Sequence, residues 1–323
     1  MRSIALAAFL LGLLLLIVLF LLGLKKQKIT DYYDNELRYE NILKMEKQTD
    51  ELVPFASEIS VVDEQTNTTD LNFDAGAGLL ADYSNTSIAF ASNPYERMNP
   101  ASTTKIMTAL VALKYGNTDD LVVVDPRAMD YEEGSSVAGI KSGQTLSLKQ
   151  LLYGLMLPSG NDCANAIAIH IAGDIQSFVE LMNFEAQRIG AVDTRFANAH
   201  GITDENHYTT AYDLYLITRA ALEYDDFRTI CRTKTYVAEY FDSDGLAISK
   251  TWENTNKYVN GDEALPGNLK LIGGKTGTTM AAGNCLVLAA EDESENDYIS
   301  IVLKASGKDD LYENMNVLLE KTN

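Results

Sequence analysis

Ser102 and Lys105 stand three residues apart in the stretch PASTTKIMTAL, at the head of an apolar run that reads as a helix. Residues at i and i+3 share one helix face, so the Lys105 amine can reach the Ser102 hydroxyl. A hydroxyl is a weak nucleophile until a base takes its proton. A lysine set among apolar neighbours such as Ile106 and Met107 loses proton affinity and can serve as that base. The partial positive charge of a helix N-terminus also favours an alkoxide there. Serine at a helix start has a second reading as an N-cap, and a lone S-x-x-K does not choose between the two.

Two further stretches bear on the same question. Ser159, Gly160 and Asn161 follow Pro158, where a helical run stops, so a loop there can turn a hydroxyl and a carboxamide into a cleft. Lys275, Thr276, Gly277 and Thr278 lie in the strand-like LKLIGGKTGTT. Successive strand residues point to opposite faces. Lys275 and Thr276 can therefore serve one cleft only through a twist or a side-chain detour. The glycines beside them permit close approach of a substrate backbone. Each stretch alone is common; the three in this order, at element ends, are specific.

The elements that must position these residues follow from periodicity. AGAGLLADYSNTSIAFAS predicts a β-hairpin. A helix is expected from Ser102 to Tyr115, closed by Gly116-Asn117. LVVVDP reads as a strand, and SLKQLLYGLMLPSG as a helix to Leu157. DCANAIAIHIAG, QSFVELMNFEAQRIG and TTAYDLYLITRAALEY predict three more helices, the last capped by Thr209 or Thr210. After about residue 230, TKTYVAEYF and LAISKTWENT read as a strand pair. LKLIGGKTGTT, NCLVLAAEDES and YISIVLKAS read as three strands, and LYENMNVLLEKTN as a final helix. Strands at both ends with helices between them indicate an α+β fold, an antiparallel sheet with a helical region inserted.

In Ser102-x-x-Lys105, Ser159-Gly160-Asn161 and Lys275-Thr276-Gly277 the chain resembles the penicillin-recognising serine enzymes. PASTTKIMTAL, LMLPSGNDCANAIA, TRFANAHGITDENHYTTAYDL and KTGTTMAAGNCLVLAA further resemble the low-molecular-mass D-alanyl-D-alanine carboxypeptidases, from about residue 72 to the C-terminus. The resemblance implies a β-lactamase/transpeptidase-like fold and a peptidoglycan stem peptide ending in D-Ala-D-Ala as substrate. It implies that Ser102 attacks the penultimate D-Ala with Lys105 as base, and that Ser159 passes a proton to the leaving amine. It implies that Asn161 holds Lys105 and the substrate amide, and that Lys275 and Thr276 face the terminal carboxylate. Gly277 lies beside them. The backbone N–H groups of Ser102 and Thr278 would form the oxyanion hole. β-Lactams would acylate Ser102, and no metal or cofactor is implied.

Two rivals share these motifs. Class A β-lactamases carry a deacylating glutamate, usually in E-x-x-L-N; here DTRFANAHGITDEN holds Glu205 without that pattern, and the second motif is SGN and not SDN. A non-catalytic penicillin-binding sensor or scaffold would tolerate loss of Ser102 or Lys105, yet all three motifs are intact. One departure concerns an N-R-N segment that many relatives carry for the carboxylate. The matching Asn254-Thr255-Asn256-Lys257 has threonine there, with Lys257 or the Lys275–Thr276 pair as candidates to replace the arginine.

Bulk properties set the remaining bounds. The chain has 323 residues, 46% of them hydrophobic, and a formal net charge of −20, which argues against nucleic acid as a partner. Cys163, Cys231 and Cys285 form no metal-type spacing, and three scattered histidines (His170, His200, His207) make no metal site. His200 and His207 read as loop-ordering residues, Cys163, Cys285 and Trp252 as packing. Residues 4–24 are apolar without a break, long enough to cross a hydrocarbon core of about 30 Å. The expected organisation is an anchor or uncleaved signal at 1–28, a polar juxtamembrane linker at 29–71 and a catalytic domain at 72–323. Lys25, Lys26 and Lys28 after the span would, by the positive-inside rule, hold the domain in the cytoplasm. The implied substrate instead places it outside the membrane, and large domains translocate largely regardless of such charges.

Overall fold

The computed structural model describes residues 59–63, 66–68 and 72–322. The expected anchor at 4–24 lies outside them, as does most of the linker. Among the described residues no helix is long and apolar enough to cross a membrane.

Two antiparallel sheets organise the domain. The larger has the order β2-β1-β9-β8-β7, so N-terminal strands close against C-terminal ones. β1 (Ala77–Asp82) and β2 (Ser87–Ser92) form the predicted hairpin. β7 (Lys270–Thr279), β8 (Gly283–Glu291) and β9 (Asp297–Ala305) form the C-terminal meander. In β8, Leu286, Leu288 and Ala290 join Leu80, Val302 and residues of the C-terminal helix in one core cluster. Their alternates Cys285, Val287 and Ala289 must point to the other face, and they too are buried. Both faces are therefore covered, which explains why CLVLAA is apolar throughout.

The helices are α1 (Lys105–Tyr115), α2 (Leu148–Met156), α3 (Asn161–Ala172), α4 (Ile175–Arg188), α5 (Ala211–Leu222), α6 (Asp225–Cys231), the single turn α7 (Lys257–Asn260) and α8 (Lys308–Leu319). Side-chain caps set several starts. Ser147 and Gln150 form a reciprocal box on α2, Asp174 accepts from Ser177 N on α4, and Thr210, of the two threonines considered, caps α5. α5 packs against β1 and β9, and α8 against β1, β8 and β9.

The structure corrects the expectation of one sheet. β5 (Thr235–Phe241) and β6 (Ala247–Glu253) do pair as predicted. They join β3 (Leu121–Val123) and β4 (Thr145–Ser147) in a separate sheet of order β3-β4-β5-β6. In β5 the alternation of exposed with covered residues marks a one-sided sheet, unlike β8. β4 and α6 were not predicted: β4 has three residues, and α6 only seven, with a single apolar set of Phe227, Ile230 and Cys231.

Residues before the expected domain start also pack on it. Ser60 is fully buried; its N–H donates to Tyr215 Oη (3.1 Å) and its carbonyl accepts from Tyr212 Oη (3.0 Å). Tyr215 Oη donates to Ser60 Oγ (3.1 Å). Tyr215→Phe strips both of its bonds and leaves a buried N–H unpaired. It should cost about 2 kcal/mol, read as a lower Tm with earlier proteolysis near Ser60; an unchanged Tm would show that the strap adds nothing to stability.

Candidate active site

Ser102 lies in a 3-10 turn, Ala101–Thr104, that feeds directly into α1. Neither element has a side-chain cap, so the capping reading of Ser102 does not hold. The hydroxyl is 3.0 Å from Lys105 Nζ instead. Ala101, just before it, has φ of +49°, a costly conformation for a residue with a side chain.

Lys105 is fully buried. Its Nζ donates to Asn161 Oδ1 (2.7 Å) and to the His200 carbonyl (2.8 Å). Both partners can only accept, so they take two N–H bonds and the remaining tetrahedral position faces Ser102 Oγ. Burial holds the Lys105 proton affinity well below the usual lysine range, and the Lys275 charge pushes it further down. A neutral amine in this frame points its lone pair at the Ser102 hydroxyl.

Lys275 is also buried, and burial lowers it to about 7. β7 is regular here, with Lys275 inside and Thr276 half-buried on the other face. The expected detour is made by the lysine, whose Nζ returns to the Thr276 carbonyl (2.9 Å). Thr276 and Thr278 share backbone parity, so their polar groups lie along the same edge of β7. β7 is an edge strand, and its free edge meets the Ser102 turn. Gly277 is what lets it: a Cβ there would lie 2.8 Å from Ser102 N and 3.0 Å from Thr103 N. The Thr278 hydroxyl turns away to Asn284 Oδ1 (3.1 Å).

Asn161 is the first residue of α3, and Ser159, two residues earlier, has φ of +62°. Ser159 Oγ is buried with no hydrogen-bond partner. The structure thus brings Ser102, Lys105 and Asn161 into one hydrogen-bonded cluster and lays Gly277 against it. Neither Ser159 Oγ nor Lys275 Nζ bonds directly to that cluster.

The segment from Ala197 to Thr209 fastens the other side of α1. Thr108 Oγ1 donates to the Ala199 carbonyl (2.6 Å). His207 Nδ1 accepts from Ala197 N (3.1 Å), so Nε2 carries the proton and donates to Thr104 Oγ1 (2.8 Å). Burial depresses His200 to about 3 and His207 to about 4, so both are neutral near pH 7. The His200 carbonyl was not foreseen as a site group; a main-chain oxygen leaves no residue-type signal. Glu205 lies on an exposed turn. Lys257 does not replace the arginine, because its amine pairs with Asp309 (3.3 Å) over the Tyr312 ring. Thr255 itself reaches the cleft edge, 2.6 Å from Thr276 Oγ1. Among the described residues no group of three His, Cys, Asp or Glu could hold a metal.

An α+β domain with these motifs where two sheet ends and a helical region meet has the penicillin-recognising transpeptidase fold. The chain belongs to the D-alanyl-D-alanine carboxypeptidase family of S11 peptidases, whose model matches residues 63–307. It is 30% identical over 261 residues to D-alanyl-D-alanine carboxypeptidase DacF of Bacillus subtilis, covering 79% of this chain and 64% of that protein. A Streptomyces D-alanyl-D-alanine carboxypeptidase is 36% identical over 205 residues, 60% of this chain and 68% of its own. The crystal structure of a Streptomyces DD-transpeptidase superposes with a TM-score of 0.69 at 31% identity, over 78% of this chain and all of that one. A D-alanyl-D-alanine carboxypeptidase structure from Mycobacterium tuberculosis gives 0.70 at 27% identity, over 81% and 96%.

The buried lysines carry a testable cost. The unfolded chain holds the Lys275 proton up to about 10.5 and the folded chain only to about 7. Stability from this group is therefore lowest below pH 7 and rises between pH 7 and 10.5. Lys275→Met should raise Tm at pH 7 by about 5 °C, with a smaller gain at pH 10. A lower Tm at pH 7 would contradict the assigned burial cost.

Proposed function

We propose that this protein is a serine D-Ala-D-Ala carboxypeptidase acting on peptidoglycan stem peptides. The observation that carries the reading is the fully buried Lys105 amine, held by two acceptors so that its third position meets Ser102 Oγ at 3.0 Å. Lys105 takes the hydroxyl proton as Ser102 Oγ bonds to the carbonyl carbon of the penultimate D-Ala. The developing oxyanion lies against the N–H groups of Ser102 and Thr278. The C–N bond breaks, and the leaving D-Ala amine takes its proton through Ser159. Water then hydrolyses the ester, with Lys105 again receiving the proton. Lys275, Thr276 and Thr255 face the terminal carboxylate, and Asn161 holds the substrate amide. β-Lactams acylate the same serine. Residues 4–24 anchor the chain in the membrane as a single span, with the domain on the extracytoplasmic side where that substrate lies.

The test is D-alanine release from diacetyl-Lys-D-Ala-D-Ala beside covalent labelling by a fluorescent penicillin. Ser102→Ala should abolish both, and Lys105→Ala should lower both by about 1,000-fold. Substantial release from either variant would remove that residue from its role. Labelling without release in the unmodified protein would favour a sensor.

The charge on Lys275 gives a second test. It is a cation below about 7 and neutral above. Because kcat/KM reports groups of the free enzyme, it should fall for this peptide as pH rises through about 7. A profile flat across that range would detach Lys275 from carboxylate binding.

A further inference from the structure

Asp162 directly follows Asn161, is fully buried, and has no part in the chemistry above. Its carboxylate accepts four main-chain N–H groups. Oδ1 takes those of Ala138 (2.8 Å) and Cys163 (2.9 Å); Oδ2 takes those of Gly139 (2.6 Å) and Ile140 (3.0 Å). A carboxylate offers about four lone-pair sites, so this one is saturated. An asparagine cannot take its place. In either amide orientation its NH₂ would face two N–H donors.

The segment held this way borders the cluster around Lys105. Asn161 N donates to the Ser136 carbonyl (2.9 Å). Trp252 Nε1 donates to the Ala138 carbonyl (2.9 Å), and Lys250 Nζ to that of Gly139 (3.0 Å). Between Asn161 and the preceding helix lie Ser159, at φ of +62°, and Gly160. Gly160 fits because a Cβ there would come 2.6 Å from Asp162 Oδ1 and 2.8 Å from Ala138 N. A side-chain-bearing residue keeps a positive φ only where its surroundings over-determine it. The surroundings here are the 136–140 segment and the start of α3, and the Asp162 carboxylate makes three of the bonds that join them, beside that of Asn161 N.

We propose that Asp162 is a positioning residue: its carboxylate fastens the 136–140 segment to α3 and so keeps Ser159 and Asn161 aimed at the Ser102–Lys105 pair. The inference rests on the functional reading above and adds to it a residue that touches neither substrate nor reacting atoms. Asp162 also has an electrostatic consequence. The titratable groups facing Lys105 are Lys275 on β7, Asp162 and Cys163 on α3, and His200 and His207 on the 197–209 loop. Burial raises the Cys163 thiol and lowers both histidines, and Asp162 is the one carboxylate among them. Its charge supports the Lys105 proton affinity without touching the amine.

The experiment is the rate of Ser102 acylation by penicillin, with D-alanine release, for the full chain and for Asp162→Asn, across pH. A misplaced hydroxyl and carboxamide should cost about 100-fold in acylation and in kcat. The acid limb of acylation should move to lower pH, because Lys105 loses its anionic neighbour; a purely structural residue would not move it. Acylation within about twofold of the unmodified protein, or a loss of Tm with no shift of the limb, would overturn the proposal. Should Asp162→Asn not fold, Lys250→Met loosens the same segment and leaves α3 intact. It should slow acylation about 10-fold, and an unchanged rate would count against the role. If the unmodified protein is acylated but releases no D-alanine, the carboxypeptidase reading fails while the Asp162 comparison stands on acylation. If Ser102 is not acylated at all, both fail.

Discussion

The burial of one amine, which disfavours its charge, is the constraint on which this site depends. Lys105 is enclosed where α1, the start of α3 and the loop around His200 converge, and water that would stabilise an ammonium is excluded. Two acceptors from two of those segments hold its N–H bonds. The third direction is then set by tetrahedral geometry and falls on Ser102. Moving any one segment would rotate the lone pair or admit water. Much of the surrounding architecture keeps those segments in place. The sheet carries β7 to the Ser102 turn, Gly277 permits the contact, and His207 and Thr108 tie the loop to α1.

The nearby carboxylate shows how the charge is kept off. Asp162 lies close enough to influence Lys105, yet its oxygens are taken by four main-chain N–H groups. It forms no ion pair with the amine. A direct pair would favour the protonated amine. The carboxylate acts instead through the backbone it binds, and its charge is felt at a distance.

These arrangements work against stability. Two lysines are buried without a carboxylate partner, and Ala101 and Ser159 hold positive φ values. Strained backbone of this kind costs on the order of 1–3 kcal/mol per residue. The five-stranded sheet, buried on both faces, supplies a core that offsets such costs. The edge of β7 supplies something the core cannot, a row of main-chain groups left unpaired beside Ser102. Where many relatives are expected to present an arginine, Thr255 and Thr276 present paired hydroxyls, and Lys257 is turned to Asp309.

Periodicity and short motifs made much of this legible in the chain itself. The hairpin of β1 and β2, six of the helices and the C-terminal meander follow from apolar spacing and from caps such as Thr210, because these signals are local. Ser102, Lys105, Asn161 and the β7 residues were named because their side chains are chemically distinctive and stand at element ends. The second sheet was beyond reach, since β3 pairs with β4 and β4 with β5 between residues far apart in sequence. So was the role of the His200 carbonyl, a group that every residue carries. Whether Ser102 is a cap, where Lys257 points, and what Asp162 binds were likewise open. Each depends on which distant backbone groups arrive beside it. The sequence by itself determined which side chains could do the chemistry and which elements present them. Tertiary structure alone decided their proton states and directions, because burial and hydrogen-bond partners are properties of the packed chain.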